Sequence, residues 1–165
     1  MIVAQPLTAD AFSAFGDVIE LTDRDSLTIN DGMCQRHHDL AHLDFSDGKA
    51  GISLFDGKAR QFPYSLDLVE RHPFGSQAFI PMNNVPLLIT VCPDENGHPG
   101  TPQAFLARAD QAVNLHRGTW HGVLAPIGAQ GLYAVVDRIG AGSNLEEVRF
   151  EKPYRISAPN STNQK

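Results

Sequence analysis

The sequence predicts a mainly all-β protein, a sandwich or closed barrel with one short N-terminal helix. Three observations carry this. Helical periodicity ends by residue 16, short apolar or alternating runs recur along the rest, and the 14 Gly and 11 Pro fall mostly between those runs. Many short strands at roughly regular spacing, with almost no second helix, are the mark of sheets stacked in pairs or closed on themselves.

The helix is expected over residues 7–16, LTADAFSAFG. Thr8 can cap its first turn, Phe12 and Phe15 fall on one face, and Gly16 suits its end. Strands are expected over Asp17 to Leu21, Gly51 to Phe55, Gln77 to Met82, Leu87 to Cys92, Gln103 to Arg108, Trp120 to Leu124 and Leu132 to Asp137. No repeat or linker divides the chain, so 1–165 is expected to form one domain. The tail beyond Arg155, ISAPNSTNQK, is polar, carries a Pro and offers nothing to bury, so 156–165 is expected to be flexible.

Composition narrows the function. With 165 residues, 42% of them hydrophobic and 19% charged, the chain can bury a sizeable core without disulfides or a structural metal. Lys and Arg number 13 against 19 Asp and Glu, a net charge of -6, which leaves no electrostatic footprint for nucleic acid or an anionic membrane. Cys34 and Cys92 lie far apart and form no CxxC pair, so both are expected to be reduced. The N-terminus MIVAQPLTADAF lacks a basic region followed by a long apolar one, and no run is long enough to span a bilayer. A cytoplasmic location is the expectation.

The most informative stretch is LDLVERHPFGSQAFIPM, residues 66–82. In an extended strand Leu68, Glu70 and His72 point one way while Val69 and Arg71 point the other. Pro73 favours extended geometry at His72, and Pro73 to Ser76 read as a tight connection that sends Gln77 back along a second strand. In such a hairpin His72 and Gln77 would oppose each other with Cβ atoms about 4.5 to 5.5 Å apart. A carboxylate, an imidazole and an amide on one barrel face point to a metal site or a polar substrate pocket, because burying them unsatisfied costs several kcal/mol. The plainer alternative is a satisfied hydrogen-bond network at a barrel mouth.

A second stretch, ADQAVNLHRGTWHGVLAP over 109–126, places His116 before the turn Arg117-Gly118-Thr119 and His121 just after it. Five residues separate the histidines, but the turn resets the strand phase, so either can face inwards. Imidazole is both a common divalent-metal ligand and a versatile base near neutral pH.

Together the two stretches resemble the two cupin motifs. Glu70 stands where the first motif's leading His usually stands, His72 matches its second His, and Gln77 takes the place of its Glu. In the second motif, of the form P-x-G-x-x-H, His116 replaces the proline, Gly118 matches the glycine and His121 the ligand histidine. The strings AFSAFGDVIE, INDGMCQRHHDLA, VERHPFGSQAFIPM and NLHRGTWHGVLAP followed by VVDR resemble, in the same order, those of the ureidoglycolate lyase family. That resemblance implies a cupin-type β-barrel, a homodimer, and cleavage of ureidoglycolate to glyoxylate and urea in allantoin degradation. It also implies a divalent metal such as nickel; no organic cofactor is expected.

On that footing Glu70, His72 and His121, with Gln77 as fourth ligand or neighbour, are the expected metal ligands and His116 the expected general base or acid; without a metal, Glu70 is the expected base. Arg36 could hold a carboxylate through its planar fork, Asn30 or His38 could read the ureido group, and Gln77, as fourth ligand or neighbour of the metal, is also an expected substrate-binding residue. Asp137 and Arg138, at the end of an apolar strand, read as structural ion-pair residues outside the site. The rival expectations are another metal-dependent cupin, such as an isomerase or dioxygenase of a small acid, and a non-catalytic small-molecule-binding barrel.

Overall fold

Two short strands, β1 (Ile2–Val3) and β2 (Gln5–Pro6), precede the helix α1 (Ala9–Phe12) in the computed structural model, which describes residues 1–22 and 26–160. Thr8 caps α1 as expected, its Oγ1 accepting from the Ala11 N–H at 3.3 Å. The helix is shorter than the 7–16 expected. It gives way to a turn in which the Phe15 N–H bonds the Phe12 carbonyl, and Gly16 already opens β3 (Gly16–Ile19). Gly16 serves strand contact rather than a helix end, since a Cβ there would lie 2.1 Å from the Asn114 carbonyl oxygen.

An exposed hairpin of β4 (Leu27–Ile29) and β5 (Cys34–Arg36) follows, then β6 (Lys49–Gly57), β7 (Tyr64–Arg71), β8 (Gln77–Pro81) and β9 (Leu87–Cys92). A small ribbon of β10 (Asp94–Glu95) and β11 (His98–Pro99) leads to β12 (Gln103–Ala107), β13 (Ala112–Leu115), β14 (Trp120–Gly122) and β15 (Ala125–Pro126). The chain closes with the long strands β16 (Gly131–Ile139) and β17 (Glu146–Ser157). The larger sheet runs β1-β17-β7-β14-β9-β12-β2, with β15 on β9, and the smaller runs β3-β13-β8-β16-β6. The mainly all-β expectation with one short N-terminal helix holds.

Strand alternation divides the apolar residues between two cores. Phe79, Val113, Leu115, Tyr133 and Val135 from the small sheet meet Leu87, Ile89, Val91 and Phe105 from the large one, with Phe12 and Phe15 closing that inter-sheet core. Leu88, Cys92, Val69, Trp120 and Ile156 pack on the opposite face of the large sheet. Both cysteines are free, Cys34 exposed and Cys92 buried, and burial pushes the Cys92 thiol up to about 12. No helix of the described residues is long and apolar enough to cross a membrane.

Two expectations need correction. The stretch 66–82 is not a hairpin: β7 pairs with β14 and β17, whereas β8 pairs with β13 and β16 in the other sheet. Residues 73–76 therefore cross between sheets, and His72 and Gln77 are not cross-strand partners. Nor is 156–165 flexible from its start. Ile156 is fully buried in β17, pairing with Tyr64 on one side and Ile2 on the other. Its strand partners come from the N-terminus and from β7, both beyond reach of a local reading of polarity; 161–165 lie outside the described residues.

Truncating Ile156 to Ala is accordingly expected to destabilise the protein by about 2 to 4 kcal/mol, the range for a buried large-to-small change, measured by urea unfolding. A loss under about 0.5 kcal/mol, the scale of a neutral surface change, would show that β17 does not close the large sheet.

Candidate metal centre

β14 lies between β7 and β9 and sets His121 directly opposite Glu70 on one side and Val91 on the other. Direct cross-strand neighbours share a face, and Val91 belongs to the inter-sheet core, so His121 and Glu70 point into the barrel. His72 returns to that face two residues after Glu70. Its Nε2 is 3.8 Å from Glu70 Oε1, and its ring centroid is 5.2 Å from that of His121. One ligand atom from each of Glu70, His72 and His121 lies within 4.8 Å of the others. Arg71 faces the opposite way, its guanidinium 4.4 Å from the Trp120 ring and paired with Asp94 and Glu146.

Both imidazoles are held with one nitrogen committed and the other open. His72 Nδ1 lies 2.8 Å from the Asn144 carbonyl oxygen, and His121 Nδ1 lies 3.1 Å from that of Gly122. A carbonyl only accepts, so each Nδ1 carries the proton and donates it. In the neutral ring each Nε2 is then a bare lone pair. Both Nε2 atoms are buried without a hydrogen-bond partner, a state that costs about 1 to 3 kcal/mol apiece when nothing is bound. This is the tautomer and orientation in which histidine ligates metals.

Electrostatics agree. Burial, with the neighbouring His72 adding to it, lowers His121 to about 3, so its ring is neutral. Burial also raises Glu70 above the usual carboxylate range; His72 opposes that shift and Glu147, its direct neighbour on β17, reinforces it.

Gln77 opens β8 opposite Leu115, an inter-sheet core residue, and so faces the same interior from the small sheet. Its Nε2 donates to Asp137 Oδ2 at 3.2 Å, and its Oε1 is buried without a partner. Three of the four unpartnered buried side-chain atoms among the described residues thus belong to His72, His121 and Gln77; the fourth is Asn114 Oδ1. Oxygen and imidazole donors of this kind suit a borderline divalent ion such as nickel or zinc. The residues present therefore fit the metal that the family resemblance implies.

Asp137 was expected to be structural and is instead the orienting partner of Gln77. The sequence held the signal, since alternation from the buried Tyr133 and Val135 puts Asp137 on the inward face. Arg138 does behave structurally, bonding Asp47 and the Ala141 carbonyl.

His116 is not brought to this group. Leu115 faces inwards, His116 does not, and His116 Nε2 lies 3.1 Å from Asp17 Oδ1. Asp17 sits opposite Asn114 on the outer face of the small sheet, where it accepts from Asn114 Nδ2 and the His42 N–H. Burial works against the Asp17 charge, yet these bonds and His116 outweigh it and hold the carboxyl below its usual range. Nor does any hydrogen bond or ion pair join Asn30, Arg36 or His38 to the centre among the described residues. Asn30 forms the β4–β5 turn with a φ of 53°, and Arg36 and His38 are exposed.

Beyond His121 the barrel interior leaves a cavity of about 20 Å³ lined by Phe79, Leu87, Ile89, Val113 and Leu115, room for about one water. A substrate must come from the other side, where Glu70 and His72 are 21% and 17% exposed.

A family model described as ureidoglycolate lyase matches residues 1–157. The ureidoglycolate lyase of Rhodobacter capsulatus is 56% identical over 94% of this chain and 97% of its own length. Those of a Chelativorans species and of Rhizobium leguminosarum are 49% and 50% identical, covering 96% and 94% of this chain and 97% and 95% of theirs. RmlC from Streptococcus suis, solved with dTDP-D-xylose, aligns with 57% of this chain and 45% of its own at 14% identity and a TM-score of 0.39.

Calorimetric titration with nickel(II) is expected to show one saturable site. His72→Ala and His121→Ala are each expected to weaken it at least tenfold, as loss of one ligand should. At about 100 times the dissociation constant the ion would stabilise the fold by about 2.7 kcal/mol, visible as a raised melting temperature. Absence of saturable binding by nickel(II), manganese(II) and zinc(II) would dismiss the centre.

Proposed function

The chain belongs to the ureidoglycolate lyase family, and from that premise we propose that it cleaves ureidoglycolate to glyoxylate and urea, in allantoin degradation, at the Glu70, His72 and His121 centre. The observation that carries this reading is the pair of buried, unpartnered imidazole nitrogens beside a half-buried carboxylate.

One carbon of ureidoglycolate carries a hydroxyl, a carboxylate and a urea nitrogen. Cleavage removes the hydroxyl proton as the C–N bond breaks, forms the aldehyde C=O of glyoxylate, and returns a proton to the departing nitrogen. No net proton is consumed. His72 and His121, with Gln77 Oε1, would hold a divalent ion, and Glu70 would balance its charge. When bound, that ion supplies Lewis acidity towards the substrate hydroxyl and carboxylate oxygens. Glu70 accepts the hydroxyl proton and passes it to the urea nitrogen; its burial favours the protonated form, which suits a group that must both take and give. His116 takes no part in this scheme, being engaged by Asp17.

The substrate contacts proposed for Asn30, Arg36 and His38 rest on their exposure and, for Arg36, on the match between its planar fork and a carboxylate. The homodimer implied by resemblance is supported by the outer face of the small sheet. There Leu54, Ala134 and Ile80 align across three strands, and Ile52, Leu54 and Met82 are largely exposed. The net charge of -6 argues against nucleic-acid or membrane partners, and two free cysteines accord with a cytoplasmic protein.

Incubation with ureidoglycolate is expected to yield glyoxylate and urea in equal amounts. Ammonia in place of urea would indicate an amidohydrolase, and no turnover with or without added metal would remove the enzymatic reading. Glu70→Gln keeps a neutral oxygen donor but cannot carry the proton, so it is expected to lower kcat about 100-fold or more while retaining nickel(II). His116→Ala is expected to stay within about threefold of the parent, as befits a group outside the reacting site. A reversed pattern would move the acid-base role to His116.

A further inference from the structure

The segment joining β16 to β17 runs Gly140-Ala141-Gly142-Ser143-Asn144-Leu145. Nearly all of it is exposed, and Asn144 is the half-buried exception. That residue makes two contacts to the same corner of the chain. Its backbone carbonyl takes the His72 Nδ1–H at 2.8 Å, and its side-chain Oδ1 takes the Phe74 backbone N–H at 2.7 Å. His72 is bracketed a third time, since its own carbonyl accepts the Gly118 N–H at 3.0 Å.

The two Asn144 bonds have different consequences. The carbonyl sets the His72 tautomer, but a carbonyl in an exposed, glycine-containing segment has no fixed position of its own. The segment is anchored near its start, where Arg138 Nη2 bonds the Ala141 carbonyl. At its other end it runs into β17, where Glu146 pairs with Arg71; between these anchors the Asn144 side chain ties it to the 72–74 corner. The Oδ1 bond to Phe74 is the contact nearest the Asn144 carbonyl, and it holds that carbonyl where the His72 Nδ1–H reaches it.

Resting on the metal-centred reading above, we propose that Asn144 is a positioning residue of the centre, a clasp that fixes the His72 ring with Nε2 unprotonated and aimed at Glu70 and His121. The residue acts through His72 rather than on substrate. Asparagine suits the place because its amide oxygen accepts the Phe74 N–H without adding a charge beside Glu146 and Glu147. An aspartate would keep the acceptor, whereas an alanine removes it and leaves the Phe74 N–H without its partner.

The experiment compares the parent with Asn144→Ala and Asn144→Asp, in two measurements. In metal-free protein, ¹⁵N shifts of the imidazole nitrogens report the His72 tautomer at a pH where the ring is neutral. The parent and Asn144→Asp are expected to show Nδ1–H alone, and Asn144→Ala a mixture of both tautomers. In the second measurement, nickel(II) titration is expected to show affinity lowered about 10- to 100-fold in Asn144→Ala, the usual cost of losing a ligand's supporting bond, and within about threefold of the parent in Asn144→Asp. A melting temperature for Asn144→Ala close to that of the metal-free parent would separate positioning from unfolding. If Asn144→Ala keeps the pure Nδ1–H tautomer, the clasp is refuted, whatever happens to activity. If the parent binds no metal, the reading of the centre fails while the tautomer measurement still decides this inference.

Discussion

Direct opposition of Glu70 and His121 on neighbouring antiparallel strands fixes the geometry of everything around the centre. The pairing register leaves no freedom: a slip of one residue would bring Arg71 or Gly122 inwards and turn the carboxylate or imidazole to the outer face. Register is held in turn by what lies on the other face. Trp120, immediately before His121, is buried in the outer core, donates to Asp94 and stacks under Arg71. Moving His121 out would also drag Trp120 into the barrel, so the two faces of the same short strand enforce one another.

The barrel interior is apolar where Phe79, Leu87, Ile89, Val113 and Leu115 meet, and polar at the end that holds Glu70, His72, Gln77 and His121. That division has an energetic reason. Bare imidazole nitrogens and an unpartnered amide oxygen raise the energy of the folded chain, and the large contiguous core between the sheets offsets them. Such an arrangement persists in a folded protein when a bound group relieves it. The tautomers point the same way, since both Nδ1 atoms are tied to backbone carbonyls and both Nε2 atoms turn to the same small volume.

The sequence was informative where rules are local. Alternation separated Arg71 from Glu70 and His72, turn residues marked the strand ends, and Thr8 announced the helix start. It failed where the answer depended on which strands pair. Pro73 to Ser76 have every feature of a tight hairpin turn, yet the chain uses them to change sheets, because β7 finds β14 and β17 as neighbours and β8 finds β13 and β16. Glu147 and Asn144 could not have been found at all from their own surroundings. They reach the centre only because β17 returns beside β7 from more than seventy residues away, as the bond between His72 and Asn144 shows.

His116 illustrates how a correct rule can be set aside too early. The turn at 117–119 does reset the phase for His121, which lies beyond it. His116 lies before the turn, directly after Leu115, so the phase of β13 still governs it. Val113 and Leu115 are core residues, and Asn114 is bonded to Asp17 on the outer face. Continuing that alternation sends His116 outwards, to Asp17. The histidine that looked most like a free base from its neighbours in sequence is therefore held by a carboxylate on the far side of the sheet. In the proposed reaction the proton is carried from within the barrel, where Glu70 is the carboxylate of the His72 and His121 group and burial raises its pKa.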